Sequence, residues 1–304
     1  MDYKLFHKSG LLLLQKGGKF SVFKCSCSDD NVKIHPLGEL VNVSNIRIEE
    51  KAGLIFSAKG LFTLSGKKVS NFTGTLFNLV KLAGRCCYLI ASTGNSFGYD
   101  VLLWDGEAIR LDTGTEKYAV SSCYVAVADN ENWRIYSRFG EEVKLAYPIA
   151  KTDNLFLGDS LAVCGTAGKY RMYSLSNKSL LCDNKNLIVC SPTKPFALCA
   201  EMSGQRVDAF YNDGWNKFED VEKFCILDDE LGLFSLRKGG KYFIYNYEGI
   251  LEPEFAEKYP NGVDFVASDN GILLVIDGEI ADGTTVNFHE KVTVPSVQKK
   301  HRKK

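Results

Sequence analysis

Ten cysteines, four histidines and two acidic runs carry the side chains of this 304-residue chain that suit metal binding, nucleophilic attack or proton transfer. Cys25-Ser-Cys27 and the adjacent Cys86-Cys87 are the closest-spaced thiols. A structural zinc site takes four ligands, commonly in Cys-x-x-Cys pairs matched by a second Cys or His pair, and no such spacing occurs. Neighbours on a strand point to opposite faces, which separates Cys86 from Cys87. Cys164 and Cys199 sit inside apolar runs and read as small buried hydrophobes. The sequence implies no metal and no cofactor.

A nucleophile needs a base beside it. His35 precedes a proline, His301 lies in the C-terminal tail, and His7 and His289 read as ordinary edge histidines. Asp29-Asp30 and Asp228-Asp229-Glu230 precede strand-like runs, where acidic turns are common, so they read as solvated turn residues rather than a glycosidase pair. Gly17-Gly18, Gly239-Gly240 and the stretch from Gly94 to Gly98 lack the Lys-Ser/Thr of a phosphate loop and read as hairpin turns. No catalytic residue is assigned.

Trp104, Trp133 and Trp215 lie close to recurring turns and are the expected partner-binding residues, since exposed Trp makes good interface anchors. The basic tail, Lys299, Lys300, Arg302, Lys303 and Lys304, is the other candidate site, suited to nucleic acid through a few salt-sensitive phosphate contacts. With the tail set aside, 32 Lys/Arg stand against 37 Asp/Glu, so the body is mildly acidic. The N-terminus carries no signal h-region and no apolar run is long enough to span a bilayer. The expected location is cytoplasmic, or nuclear in a eukaryote, with thiols reduced.

Those residues hang on a repeat. Leu231-Gly-Leu-Phe-Ser-Leu-Arg-Lys-Gly-Gly240 is followed by Lys241-Tyr-Phe-Ile-Tyr245, and the pattern returns at Leu11 to Phe23 and at Leu161 to Tyr173. Divergent copies pair Leu54–Ser57 with Leu61–Leu64, Tyr88–Ala91 with Val101–Trp104, Tyr124–Val127 with Trp133–Tyr136, Phe196–Cys199 with Val207–Tyr211, and Asp264–Ala267 with Ile272–Ile276. A turn after the second strand falls near Asp30, Gly66, Gly106, Gly140, Asn177, Gly214, Gly249 and Gly278, a period of about 36 residues. Gly and Asn tolerate the positive φ of tight turns. β-branched and aromatic content in each unit predicts strand, with room for four strands per period, and the nearest approach to a helix is the short stretch Asp220–Lys223.

Four-stranded units of this length point to an all-β β-propeller with eight short blades, seven being the alternative. Gly239-Gly-Lys-Tyr-Phe-Ile-Tyr245, Glu248-Gly249 and Tyr259-Pro-Asn-Gly-Val-Asp-Phe-Val-Ala267 resemble bacterial WG-type repeats, without the Trp-Gly pair itself. Trp104-Asp105, with Tyr136-Ser137, Tyr173-Ser174, Tyr211-Asn212 and Tyr245-Asn246 at matching places, is similar to WD-type propellers, without their Gly-His dipeptide. Both resemblances imply a propeller and neither carries an active site across. The reading is one propeller domain over 1–297 and a basic disordered tail over 298–304. Its expected function is non-catalytic protein–protein interaction as scaffold, adaptor or inhibitor. An enzyme with a site in the central channel and a nucleic-acid-associated protein are the alternatives.

Overall fold

The computed structural model describes residues 2–293, apart from 29–30, 71–73, 93–97, 105–107, 116, 167, 202–204, 270–271 and 277–289. The predicted tail, Asp30, Gly106, Gly278 and His289 fall outside the described residues. The fold is all-β and of the β-propeller class, with eight consecutive antiparallel meanders among the described residues. Contacts group the chain into two compact units, Met1–Lys144 and Leu145–Lys304.

In the first unit, blade one is β1 (Asp2–Phe6), β2 (Leu11–Lys16), β3 (Lys19–Ser28) and β4 (Asn31–Pro36). Blade two is β5 (Ile46–Glu49), β6 (Leu54–Ser57), β7 (Gly60–Thr63) and β8 (Lys68–Ser70). Blade three is β9 (Gly74–Leu82), β10 (Arg85–Ser92), β11 (Tyr99–Trp104) and β12 (Ala108–Thr115), and blade four is β13 (Tyr118–Val120), β14 (Tyr124–Ala128), β15 (Asn132–Ser137) and β16 (Glu142–Val143). In the second unit, β17 (Ile149–Ala150) precedes blade five, which is β18 (Asn154–Leu157), β19 (Leu161–Thr166), β20 (Lys169–Ser174) and β21 (Leu180–Lys185). Blade six is β22 (Leu187–Cys190), β23 (Phe196–Ala200), β24 (Val207–Tyr211) and β25 (Gly214–Phe218). Blade seven is β26 (Lys223–Asp228), β27 (Leu233–Lys238) and β28 (Lys241–Asn246), and blade eight is β29 (Phe265–Asp269), β30 (Ile272–Ile276) and β31 (Glu290–Thr293).

The two strands recognised in each repeat are mostly the middle strands of a blade, and they are apolar on both faces because blades stack face to face. In β6, Ile55 packs with Leu11, Val22 and Phe62 between blades one and two. Its neighbours Leu54 and Phe56 pack with Leu61, Leu102 and Trp104 between blades two and three. The same division recurs in the second unit, where Leu161, Val163 and Met172 meet Ala197, Cys199 and Phe210, and Phe196 and Leu198 meet Phe234 and Leu236. Each fully buried Leu or Phe contributes about 1.5–3 kcal/mol.

The repeated turn has a physical cause. Thr63, Ser137, Ser174 and Asn246 each end the third strand of a blade. Their backbone amides donate to the carbonyls of Lys67, Glu141, Ser179 and Ile250. Their side-chain oxygens accept from the amides of Lys67, Phe139, Asn177 and Ile250 at 3.0–3.2 Å. This is the task of the Ser and Asn that follow Tyr136, Tyr173 and Tyr245: a short polar side chain closes the loop on its own backbone. Gly66, Gly140 and Gly249 occupy the left-handed position, with φ of 85°, 84° and 80°. The turns expected near Asn177 and Gly214 are present, built without glycine at the left-handed position. Lys178 (φ 58°) takes the left-handed position in blade five, and Asn212 and Asp213 (φ 46° and 66°) do so in blade six.

As the strand-rich sequence leads one to expect, no long helix occurs among the described residues: Lys223 opens β26, and the one α-helix among them is the six-residue α1 (Pro253–Lys258). Pro253 takes a first-turn position, where its missing N–H costs nothing. Glu252 caps the helix, its carboxylate accepting from Phe255 N at 2.7 Å.

Candidate partner surface and interblade clusters

The three tryptophans separate by strand position. Trp104, in β11, is buried and its indole Nε1 donates to Ala52 O at 2.9 Å. Trp133, in β15, is also buried. Both sit on third strands covered by neighbouring elements, so they are core residues with little surface to offer. Trp215 lies in β25, the fourth strand of blade six, at 37% exposure, with its ring centroid 5.1 Å from that of Phe210. The expected tryptophan surface therefore narrows to Trp215.

A larger apolar surface was missed. In blade one, Tyr3 pairs with Leu14 and Leu5 with Leu12. Leu12 pairs with Phe23, Phe23 with Pro36, and Cys25 with Ile34. Opposed residues share a face, so one face of blade one is apolar from edge to edge. It is also open: Tyr3 is 76% exposed, Val32 64% and Ile34 51%. The sequence signal was the alternation in the two outer strands, with Asp2 and Lys4 or Lys33 and His35 on one side and Tyr3 and Leu5 or Val32 and Ile34 on the other. His7 and His35 are exposed.

Two polar clusters clasp neighbouring blades in the second unit. Between blades six and seven, Asp229 accepts from Tyr247 Oη at 2.7 Å and from Thr193 Oγ1 at 2.5 Å. Burial acts to raise the Asp229 pKa, but hydrogen bonds from Ser191, Thr193 and Tyr247 outweigh it and hold the carboxyl below its ordinary value. Burial and the Asp229 carboxylate push the Tyr247 phenol up. The two pKa values move apart and away from neutrality, so the pair suits a clasp better than a general acid or base. Asp228 does accept a turn hydrogen bond, from Leu231 N at 2.8 Å. Asp229, read as a solvated turn residue, is instead part of the clasp.

Between blades five and six, Lys185 Nζ lies 3.0 Å from Asp208 Oδ2 and 3.1 Å from Glu201 Oε1. Arg206 Nε donates to Asp208 Oδ1 at 2.9 Å. Burial acts to lower the Lys185 pKa, and its bonds to Asp208 and Glu201 more than offset this and raise it. Beside this network, the Cys182 and Cys199 sulfurs are 3.9 Å apart.

Cys87, Cys164 and Cys190 behave as small hydrophobes, whereas Cys225 is exposed. Cys87 packs between blades three and four while Cys86 packs toward Trp104, on opposite faces as expected. Burial pushes the thiols of Cys87 and Cys190 up to about 12 and that of Cys164 to about 11. Among the described residues, no group of three or more His, Cys, Asp or Glu is placed to hold a metal ion. No helix among them is long and apolar enough to cross a membrane.

No protein-family profile and no curated protein matches the sequence. Among solved structures, the chain is similar to Hsv2p of Kluyveromyces lactis at 10% identity and a TM-score of 0.30, over 81% of this chain and 74% of that one. It is similar to a eukaryotic initiation factor at 7% identity and a TM-score of 0.35, over 83% of this chain and 86% of that one. A third similarity is to the β-propeller domain of the Trilobed protease from Pyrococcus furiosus, at 12% identity and a TM-score of 0.35, over 66% of this chain and 79% of that one.

Proposed function

We propose that this chain is a non-catalytic protein-interaction module, a scaffold, adaptor or inhibitor, whose partner surface is the open apolar face of blade one. The observation that carries this reading is the row Tyr3, Leu5, Val32 and Ile34, all exposed on one sheet face whose middle is Leu12, Leu14 and Phe23. A contiguous apolar patch on a protein surface marks a contact with another apolar surface. Trp215 on blade six supports a second, smaller contact, because a half-exposed Trp on an outer strand loses little rotamer freedom on binding. The buried thiols support a reducing, cytoplasmic setting for the module. Nucleic-acid association through Lys299, Lys300, Arg302, Lys303 and Lys304 is kept as a separate proposal, tested by deleting residues 298–304.

The test is affinity capture with full-length protein and with a Leu5→Asp/Ile34→Asp variant. Under this reading a stoichiometric protein partner is held by the first and lost by the second, while the variant keeps its circular dichroism. Hydroxyl-radical footprinting of the isolated protein supplies the opposing arm. Tyr3 and Phe23 shielded in the free monomer would remove blade one as the surface, and turnover of a substrate abolished by a single substitution would remove the non-catalytic reading.

A further inference from the structure

Cys182 and Cys199 stand apart from the other described thiols because their sulfurs touch, at 3.9 Å, from two different blades. Cys182 lies in β21, the outer strand of blade five, and Cys199 in β23, the second strand of blade six. Their surroundings depend on an irregularity. Met172 pairs with Cys182 and Tyr170 with Lys185, so three steps along β21 match two along β20. The extra residue lies at Asp183-Asn184, where Asn184 adopts φ 54°. A bulge of this kind returns the strand to the same face after an odd number of residues. Cys182 and Lys185 therefore both face blade six. Cys199 pairs with Asp208 across β23 and β24, and Asp208 holds Lys185 at 3.0 Å. The two thiols thus lie beside a fixed cation and carboxylate. Cys182 is partly exposed and open to a small oxidant, whereas Cys199 is fully buried behind it.

We propose that Cys182 and Cys199 are a redox-active pair, which a hydroperoxide closes into a disulfide linking blade five to blade six. In the first step the Cys182 thiolate attacks the hydroperoxide. An S–O bond forms, the O–O bond breaks, and the alcohol, or water from hydrogen peroxide, departs as Cys182 is oxidised to the sulfenic acid. In the second, the Cys199 sulfur attacks the Cys182 sulfur. The S–S bond forms, the S–O bond breaks, and hydroxide leaves with the Cys199 proton as water. Two thiols and one hydroperoxide give one disulfide, one alcohol or water, and one further water. A small thiol such as glutathione reverses the step by exchange.

The local electrostatics favour Cys182 as the attacking group. The hydrogen bond from Cys199 lowers its pKa, against burial, and Lys185 adds to the lowering. Low pKa and access together select the thiol that is oxidised first. The sulfurs must approach from 3.9 Å to about 2.05 Å to bond.

The test oxidises the reduced full-length protein with graded hydrogen peroxide, alkylates the remaining thiols and maps digests by mass spectrometry without reductant. The expected product is a cross-linked peptide pair holding Cys182 and Cys199, formed before the exposed Cys225 is oxidised and returned to free thiols by glutathione. A Cys199→Ser chain should stall at Cys182 sulfenic acid, which a cyclic dione reagent traps. The proposal is overturned if Cys182 reacts no faster than Cys225, or if the wild-type Cys182 sulfenic acid persists without cross-linking. Both of these outcomes are read on the wild-type chain, so they hold even where the variant folds poorly.

Discussion

Lys185 Nζ lies 3.0 Å from Asp208 Oδ2, joining the outer strand of blade five to the third strand of blade six in the rim of an otherwise apolar contact. Both side chains are largely buried, at 13% and 9% exposure. A buried carboxylate that loses one of its two cations retains the cost of its dehydration, and Asp208 would be left with the Arg206 bond alone. Lys185→Met should therefore destabilise the protein by about 3 kcal/mol, whereas Glu201→Ala, at the wetter end of the network, should cost under about 1 kcal/mol. Urea unfolding of the two variants at neutral pH measures the difference.

The Asp229–Tyr247 clasp predicts a pH dependence with a definite sign. The folded-state pKa of Asp229 is lowered, so its contribution is fully present above the unfolded carboxylate pKa and fades as pH falls through the folded value. The folded-state pKa of Tyr247 is raised, so its contribution holds below the unfolded phenol pKa and is lost as pH climbs through the folded one. Denaturation midpoints of wild type and Asp229→Asn should thus differ most across the neutral range and converge in acid. Midpoints that stay parallel down to the carboxylate range would contradict the clasp.

Gly262 makes a close approach that Gly239 does not. A Cβ at Gly262 would lie 2.8 Å from Tyr242 O and 3.0 Å from Lys241 Cβ, at φ 73°, whereas one at Gly239, φ 54°, would meet nothing within 4 Å. Gly262→Ala should cost about 2–3 kcal/mol and Gly239→Ala about 1 kcal/mol. Thermal melts of the pair separate the clash from the backbone strain they share.

Trp104→Ala removes a ring packed among Leu54, Phe56, Leu61 and Leu102 together with its bond to Ala52 O, and should cost about 3–5 kcal/mol. Trp215→Ala should leave the melting temperature nearly unchanged and instead weaken any partner held at blade six. Calorimetry on the free protein, with the binding assay alongside, distinguishes the two roles.

The blades were legible because their middle strands carry the pattern twice, once for each covered face. Leu54-Ile55-Phe56 is unbroken apolar sequence since Ile55 serves one interblade core and its neighbours serve another. The turns were legible where glycine takes the left-handed position, as at Gly66, Gly140 and Gly249, and also near Asn177 and Gly214, where Lys178 or Asn212-Asp213 does so. The partner surface was harder to read. A tryptophan's strand number within its blade decides whether it is core or rim, which placed Trp104 and Trp133 inside and Trp215 outside. The cation beside the thiol pair was invisible for a different reason. Strand periodicity puts Cys182 and Lys185 on opposite faces, and only the extra residue at Asp183-Asn184 brings them together.

The strands of a blade pair in chain order, and in five blades, among the described residues, an amide in or just after the third strand returns to the turn between the first two. Arg138 N to Cys123 O, Leu175 N to Ser160 O and Tyr247 N to Gly232 O repeat this at 2.9 Å. Every such closure is made within one short stretch of polypeptide, so little loop entropy is spent before pairing begins. A meander emerging from the ribosome can complete its hydrogen bonds at once, yet one greasy side stays wet until the following meander arrives. Synthesis therefore covers the forward side of a blade as it proceeds, as Ile55 and Phe62 of blade two cover Leu11 and Val22 of blade one.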